Sequence, residues 1–247
     1  MHNDKSQLRF AKLVIRSSLF ALAFWVITIV HAVLSMFTFG MPFNWRYYFI
    51  TRWSVMVVWL AKQVCGIDYK IEGLENLPKQ EAAIIFCKHQ STWETLALQT
   101  FLPPLTFVLK RELLWVPFFG WALALLEPIA INRKAGSKAI KQIIKQGKRC
   151  LAKKRWVVIF PEGTRIAPRR QHRFAKGGSL FAAQAGVSVI PIAHNAGSFW
   201  PRRGFVKQPG QIVVKIGPAI ITLGKSPEQI NQEAKEWIDN TMQDIEK

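Results

Sequence analysis

The chain has 247 residues, with 34 lysines and arginines against 15 aspartates and glutamates, a net charge of +19. That length supports one sizeable core with an appendage, and the charge demands an anionic partner: nucleic acid, an anionic membrane face or a phosphorylated substrate. Repeats and low-complexity tracts are absent, and Cys65, Cys87 and Cys150 lie far apart in or beside apolar runs, which argues against a solenoid, a disulfide framework or a zinc site and predicts reduced, buried thiols in a cytoplasmic domain.

Leu19 through Phe39 is apolar except for Thr28, His31, Ser35 and Thr38. At ~1.5 Å per helical residue it is long enough to cross ~30 Å of hydrocarbon, so it predicts a membrane anchor. It is too long for a cleavable signal peptide and lacks a small-x-small exit before Met41-Pro42. Lys5, Arg9, Lys12 and Arg16 precede it, while Arg46, Arg52 and Lys62 follow, so the flanking charges choose no orientation. Trp53 to Val64 reads as a second apolar helix, too short to span comfortably, with Trp45, Tyr47, Tyr48 and Trp53 expected at the headgroup level. A hairpin dipping into one leaflet would keep both basic flanks cytoplasmic; a single pass is the alternative. His31 alone is weak support for a proton path.

Beyond this anchor, strands and helices alternate. Ile84–Cys87 reads as a buried strand and Thr92–Thr100 as a helix, with His89 in the turn between them and Glu94 in the first helical turn. Ile129–Ile131 is a strand, followed by a helix from Ser137 to Ala152. Ile140, Ile143, Ile144 and Leu151 mark its apolar face, and Lys138, Lys141, Lys145, Lys148 and Arg149 lie mostly opposite. Trp156–Phe160 is the next buried strand, so the order predicts a βαβ crossover. Gly177–Gly186 then reads as a helix, and Val187–Ile192 and Ile212–Ile216 as strands. Ser226, Pro227 and Gln229 signal the last helix by a capping box, with Ile230, Ala234, Trp237, Ile238, Thr241 and Ile245 as its inward stripe. The expected fold is α/β, a mainly parallel central sheet flanked by helices. Residues 1–66 form membrane-anchoring helices ahead of the α/β domain at 67–247.

Two segments carry chemistry. In Lys88-His89-Gln90-Ser91-Thr92-Trp93-Glu94, the histidine supplies a base near neutral pH and the carboxylate, five positions on, can orient it across a turn and helix start. A regular helix would rotate the two side chains apart, and Glu94 at a helix N-terminus beside a surface His89 is the plain alternative. In Phe160-Pro161-Glu162-Gly163-Thr164-Arg165, a strand end delivers a turn. Gly163 lets the backbone pass close to a ligand, and Arg165 can grip a phosphate with two charge-assisted bonds. Glu162 stands alone among many cations, so it organises them or binds a hydroxyl. An ordinary turn with a structural ion pair is the alternative.

These two segments together resemble the glycerolipid acyltransferase family, above all the 1-acylglycerol-3-phosphate acyltransferases. The family's hallmark is a histidine and a carboxylate separated by four residues, plus a later Phe-Pro-Glu-Gly-Thr-Arg block. The resemblance runs from about Ile67 to Pro218. By it, His89 and Glu94 are catalytic, and Arg133 in Pro128-Ile129-Ala130-Ile131-Asn132-Arg133 joins Arg165 as a phosphate ligand. Pro191 in Val189-Ile190-Pro191-Ile192 helps shape the acceptor or acyl pocket, and Glu162, Gly163 and Thr164 bind substrate or support the site. Lys110 is a further cation near the phosphate or a solvated charge. The sequence departs from the family in Glu94 and Asn132, where aspartate is usual, and in Glu127, where glycine is common.

The resemblance implies transfer of an acyl group from a thioester, acyl-CoA or acyl carrier protein, to the sn-2 hydroxyl of 1-acylglycerol 3-phosphate. The product is phosphatidic acid. No metal or prosthetic cofactor is implied. The implied setting is a membrane, the inner one in a bacterium, with the catalytic domain cytoplasmic and anionic lipids alongside. Another lysophospholipid acceptor is an alternative. So is a phospholipid or thioester hydrolase, although the chain has no Gly-x-Ser-x-Gly elbow. A specific nucleic-acid partner is not expected, because the aromatics concentrate in apolar runs instead of alternating with basic residues.

Overall fold

The computed structural model describes the backbone of residues 2–246. Seven strands form one sheet: β1 (Ile67–Glu72), β2 (Ile84–Cys87), β3 (Leu105–Lys110), β4 (Ile129–Ile131), β5 (Trp156–Ile159), β6 (Val189–His194) and β7 (Gly210–Ile216). Their spatial order is β1-β7-β6-β2-β5-β3-β4, and every neighbouring pair is parallel except β6 with β7. The chain thus has the expected α/β architecture. Residues 84–87 and 156–159 are wholly buried, as central parallel strands are when helices cover both sheet faces. β4 and β5 do not pair with each other, because β3 lies between them.

The helices are α1 (His2–Met36), α2 (Phe43–Leu60), α3 (Trp93–Phe101), α4 (Phe119–Ala124), α5 (Ser137–Ala152), α6 (Lys176–Ala185), the short α7 (Ala196–Phe199) and α8 (Pro227–Ile245). Successive strand side chains point to opposite faces and build two cores. Ile85 and Cys87 meet Phe20 of α1, Val57 of α2 and Leu96 of α3. Ile84 and Phe86 meet Ile143 of α5, Phe181 of α6 and Ile238 of α8. The capping box of α8 forms as its spacing predicts: Gln229 N donates to Ser226 Oγ at 3.2 Å and Ser226 N to Gln229 Oε1 at 2.8 Å. Of its expected stripe, Ile230, Ala234, Ile238 and Thr241 are buried, while Trp237 and Ile245 are half-buried. All three cysteines are free and buried.

The N-terminal helices differ from expectation in one respect. The second begins at Phe43, directly after Pro42, and continues through a wider turn at Ala61–Cys65 to Gly66. Two of the four aromatics expected at the headgroup level face into the protein instead. Tyr47 is buried, and its hydroxyl accepts Leu105 N at 3.2 Å; Trp53 is half-buried and donates to Thr28 Oγ1 at 3.0 Å. Trp45 and Tyr48 stay exposed.

Helix α1 is long and apolar enough, from Ser6 to Met36, to cross a membrane. One side packs on the sheet layer, where Phe20 is buried and Ser17 Oγ accepts Lys207 N at 2.9 Å. The other side exposes Leu19, Leu22, Trp25, Val26, Ile29 and Val30. Arg46 of α2 adds a polar tie, pairing at 2.7 Å with Glu127, which also pairs with Arg155 at 2.6 Å. Glu127 has φ 51, in the left-handed region that favours glycine, and the two arginines hold it there. Burial opposes its charge, but Arg155 and Arg46 outweigh that and keep its pKa below the ordinary carboxylate value. The chain on either side of Gly66 therefore shares one core.

Candidate active site

Four parallel strands, β2, β5, β3 and β4, lie side by side, so their C-terminal ends open on one edge of the sheet. Ligand sites of open α/β sheets lie at such edges. Here the edge receives His89 after β2, Arg165 after β5, Lys110 at the end of β3 and Arg133 after β4. All four line one cavity of about 340 Å³. Residues far apart in the chain meet because their strands are neighbours.

His89 and Glu94 meet as the five-residue spacing requires: His89 Nδ1 lies 2.8 Å from Glu94 Oε1. The turn keeps the pair together, since α3 begins only at Trp93. Glu94 Oε1 also accepts Gln90 N at 2.9 Å and Ser91 N at 2.8 Å, so glutamate here serves as both ring partner and turn clamp. Glu94 is buried. Burial raises its pKa, but His194, the His89 hydrogen bond and the Ser91 N–H outweigh that and hold it below the ordinary value. An ionised carboxylate on Nδ1 fixes the tautomer that leaves Nε2 as a proton acceptor toward the cavity. The imidazole stacks on Phe160, centroids 4.0 Å apart, a contact sequence reasoning missed.

The two segments are also tied through their backbones. His89 N donates to Glu162 Oε2 at 2.9 Å, and Ile166 N donates to His89 O at 2.7 Å. Glu162 Oε1 pairs with Lys88 Nζ, both side chains buried. Both carboxylate oxygens of Glu162 have partners inside the protein and the side chain is buried, so it organises the turn. Lys88, not singled out from the sequence, is its counter-charge. The buried His194 holds the same turn from behind: Nε2 donates to Lys88 O at 2.8 Å and Nδ1 accepts Ala196 N at 3.2 Å. It is a satisfied structural histidine.

Arg133 and Arg165 have no carboxylate within ion-pair distance among the described residues. Burial lowers the pKa of each, with Glu112 opposing for Arg133 and Glu94 for Arg165. Arg133 donates to Gly163 O, and Arg165 Nε is buried without a partner. Two partly desolvated, uncompensated guanidinium groups suit an anion. Gly163 has φ 67 while nothing crowds its Cα, so backbone conformation is what demands glycine. Lys110 is half-exposed, 4.0 Å from Glu112. Thr164 is exposed and outside the cavity wall.

Pro191 takes a structural place. It is buried in β6, its ring packs toward Gly217, and it does not line the cavity. The walls come instead from α1 to α4, with Phe24, Thr28, Trp53, Leu96, Phe119 and Leu123 among them. No hallmark motif in the sequence points to these residues. The Phe199–Arg203 segment is a packed turn, with Trp200 buried edge-on against Phe20 at 5.0 Å. Among the described residues, no three His, Cys, Asp or Glu side chains cluster as a metal site.

A family model described as Acyltransferase matches residues 68–195, over half of the chain. The chain is 49% identical over 236 residues to the 1-acyl-sn-glycerol-3-phosphate acyltransferase of Pseudomonas aeruginosa, covering 94% of this chain and 91% of that protein. It is 31% identical over 174 residues to the 1-acyl-sn-glycerol-3-phosphate acyltransferase alpha of Mus musculus, covering 69% of this chain and 61% of that protein. The crystal structure of the 1-acyl-sn-glycerophosphate (LPA) acyltransferase from Thermotoga maritima has the same fold, with a TM-score of 0.78, 21% identity and 96% of each chain covered. The chain belongs to the acyltransferase family. It is an O-acyltransferase, an enzyme that joins an acyl group to an alcohol oxygen.

Proposed function

We propose that this enzyme acylates the sn-2 hydroxyl of 1-acylglycerol 3-phosphate from acyl-CoA or acyl carrier protein, giving phosphatidic acid for phospholipid synthesis. The observation that carries this reading is one cleft that joins the His89–Glu94 pair, two uncompensated arginines and an apolar cavity. The names of the Pseudomonas aeruginosa and mouse relatives support the same acceptor.

In this reading Nε2 of neutral His89 takes the hydroxyl proton as the oxygen attacks the thioester carbonyl carbon. A C–O bond forms. When the tetrahedral intermediate collapses, the C–S bond breaks and the imidazolium returns the proton to the departing thiolate. The base is neutral again and no acyl-enzyme is needed. Glu94 fixes the tautomer and stabilises the transient positive ring. Arg133 and Arg165 hold the phosphate, with Lys110 at the rim. The apolar walls take an acyl chain. No metal or prosthetic group takes part.

Residues 1–66 anchor the enzyme, and 67–247 carry the reacting groups. The α1–α2 hairpin dips its exposed apolar side into one leaflet, leaving the catalytic domain on the cytoplasmic side against anionic lipid. An interfacial enzyme meets an amphiphilic acceptor and releases an amphiphilic product without solvating either tail. The test is a purified-enzyme assay of several lysolipids against both donor types, reading products by mass. Phosphatidic acid should form fastest; equal use of uncharged lysolipids would overturn the phosphate assignment.

A further inference from the structure

Helix α5 presents a row of cations that no carboxylate among the described residues pairs with, although Glu81 lies near its Lys148–Lys154 end. Lys138, Lys141, Lys145, Lys148 and Arg149 are exposed along its outer face, Lys134 precedes them, and Lys153 and Lys154 follow. Residues 133–154 contain no aspartate or glutamate, and none of these eight side chains forms an ion pair among the described residues. Several lysines elsewhere do: Lys62 meets Asp68, Lys70 and Lys215 meet Glu72, and Lys176 meets Glu228. Like charges three and four residues apart repel, and Lys138 sits at the positive end of the helix dipole. The row cannot turn inward, because Ala139, Ile143 and Cys150 fill the buried side.

Two placements select the occupant. The sheet separates α5, α6 and α8 from α1, α2 and α3, so the row lies across the sheet from the exposed apolar side of α1. A bilayer that takes the apolar side leaves the lysines facing water. The row also begins beside Arg133, which lines the cleft with His89, and runs ~24 Å away from it along the 16-residue helix. A free coenzyme thioester needs cations only at the cleft mouth. A surface of this length suits a protein.

We infer that the outer face of α5 is the docking surface for a small acidic protein that carries the acyl group as a thioester. This rests on the acyl-transfer reading above. Docked there, the carrier presents its thioester over the Arg133 end of the helix, while the acceptor reaches the same cleft from the membrane side. The lysine row also steers encounter, since complementary charge raises association rates.

The test uses the full-length protein carrying Lys138→Glu, Lys141→Glu and Lys145→Glu together, and a second variant with glutamine at the same three positions. Both are assayed with hexadecanoyl-acyl carrier protein and with hexadecanoyl-CoA, at equal acceptor. The glutamate variant should raise KM for the carrier donor ~10-fold or more, with glutamine intermediate, while kcat and all constants for the CoA donor stay unchanged. An unchanged KM for the carrier donor overturns the proposal, as does an equal loss with both donors or a wild-type enzyme that uses only CoA. Loss of binding to phosphatidylglycerol vesicles at unaltered donor KM would assign the row to lipid instead, and also overturn it. A wild-type protein inactive with both donors would sink the acyl-transfer reading itself.

Discussion

Glu162 Oε2 accepts the backbone N–H of His89 at 2.9 Å across 73 residues of sequence, while Oε1 of the same carboxylate neutralises the buried Lys88. Removing one partner of a buried pair strands the other, at a cost of ~3–5 kcal/mol. Glu162→Leu should therefore lower the melting temperature sharply in detergent. The double variant Lys88→Met/Glu162→Leu should recover most of that stability and still turn over slowly, because the His89 N–H has lost its acceptor. Full turnover in the double variant would remove Glu162 as a positioning residue.

His89→Ala should cost ~10²–10⁴ in turnover while leaving membrane association intact, since the ring is at the cleft and not at the apolar side of α1. Sedimentation with vesicles and a steady-state assay on one preparation check both halves. Near-normal kcat would refute the base.

Glu94→Gln keeps the side chain's length and can hydrogen-bond His89, but it no longer holds an anion beside the ring. Turnover should fall at least ~10²-fold with little change in acceptor KM. Arg165→Ala has the opposite signature. Losing one or two charge-assisted bonds of ~1.5–3 kcal/mol should raise acceptor KM ~10- to 100-fold at modest cost in kcat. Interchanged signatures would mean that the two roles are misassigned.

Two buried groups contribute to the acid limit of stability. Burial pushes the His194 pKa below its ordinary 6.5, with Glu94 opposing. The unfolded chain then binds a proton that the folded one refuses, so stability falls as pH drops below 6.5. Glu94, with its folded pKa below the ordinary 4.5, contributes stability present above that value and lost as pH falls through the folded pKa. His194→Gln should flatten the melting-temperature curve just below pH 6.5 and leave the fall below pH 4.5. An unchanged profile between those values would exclude His194 as the titrating group.

The alternation of apolar runs and amphipathic helices made the sheet legible, because a buried parallel strand such as Trp156–Ile159 has to be apolar on both sides. The capping box at Ser226 placed the last helix to the residue. The partnership of His89 and Glu94 was readable from its spacing, and the gathering of Arg133, Arg165 and Lys110 with them follows once the strand order is known. That order was not readable, since β3 slips between β4 and β5 without any local signal. Nor was the inward facing of Tyr47 and Trp53, which depends on their long-range partners in β3 and α1. Pro191 looked functional by resemblance, yet strand alternation points it to the α8 side of the sheet.

Because Phe24, Thr28 and Trp53 wall the same cavity that His89 faces, the two N-terminal helices supply a third of the chamber's lining. Trimming them at Gly66 to obtain a water-soluble fragment would open the chamber to solvent and strip the seat from Trp200. The helix long and apolar enough to cross a membrane and the wall around His89 are one piece of structure, and neither can be discarded to study the other.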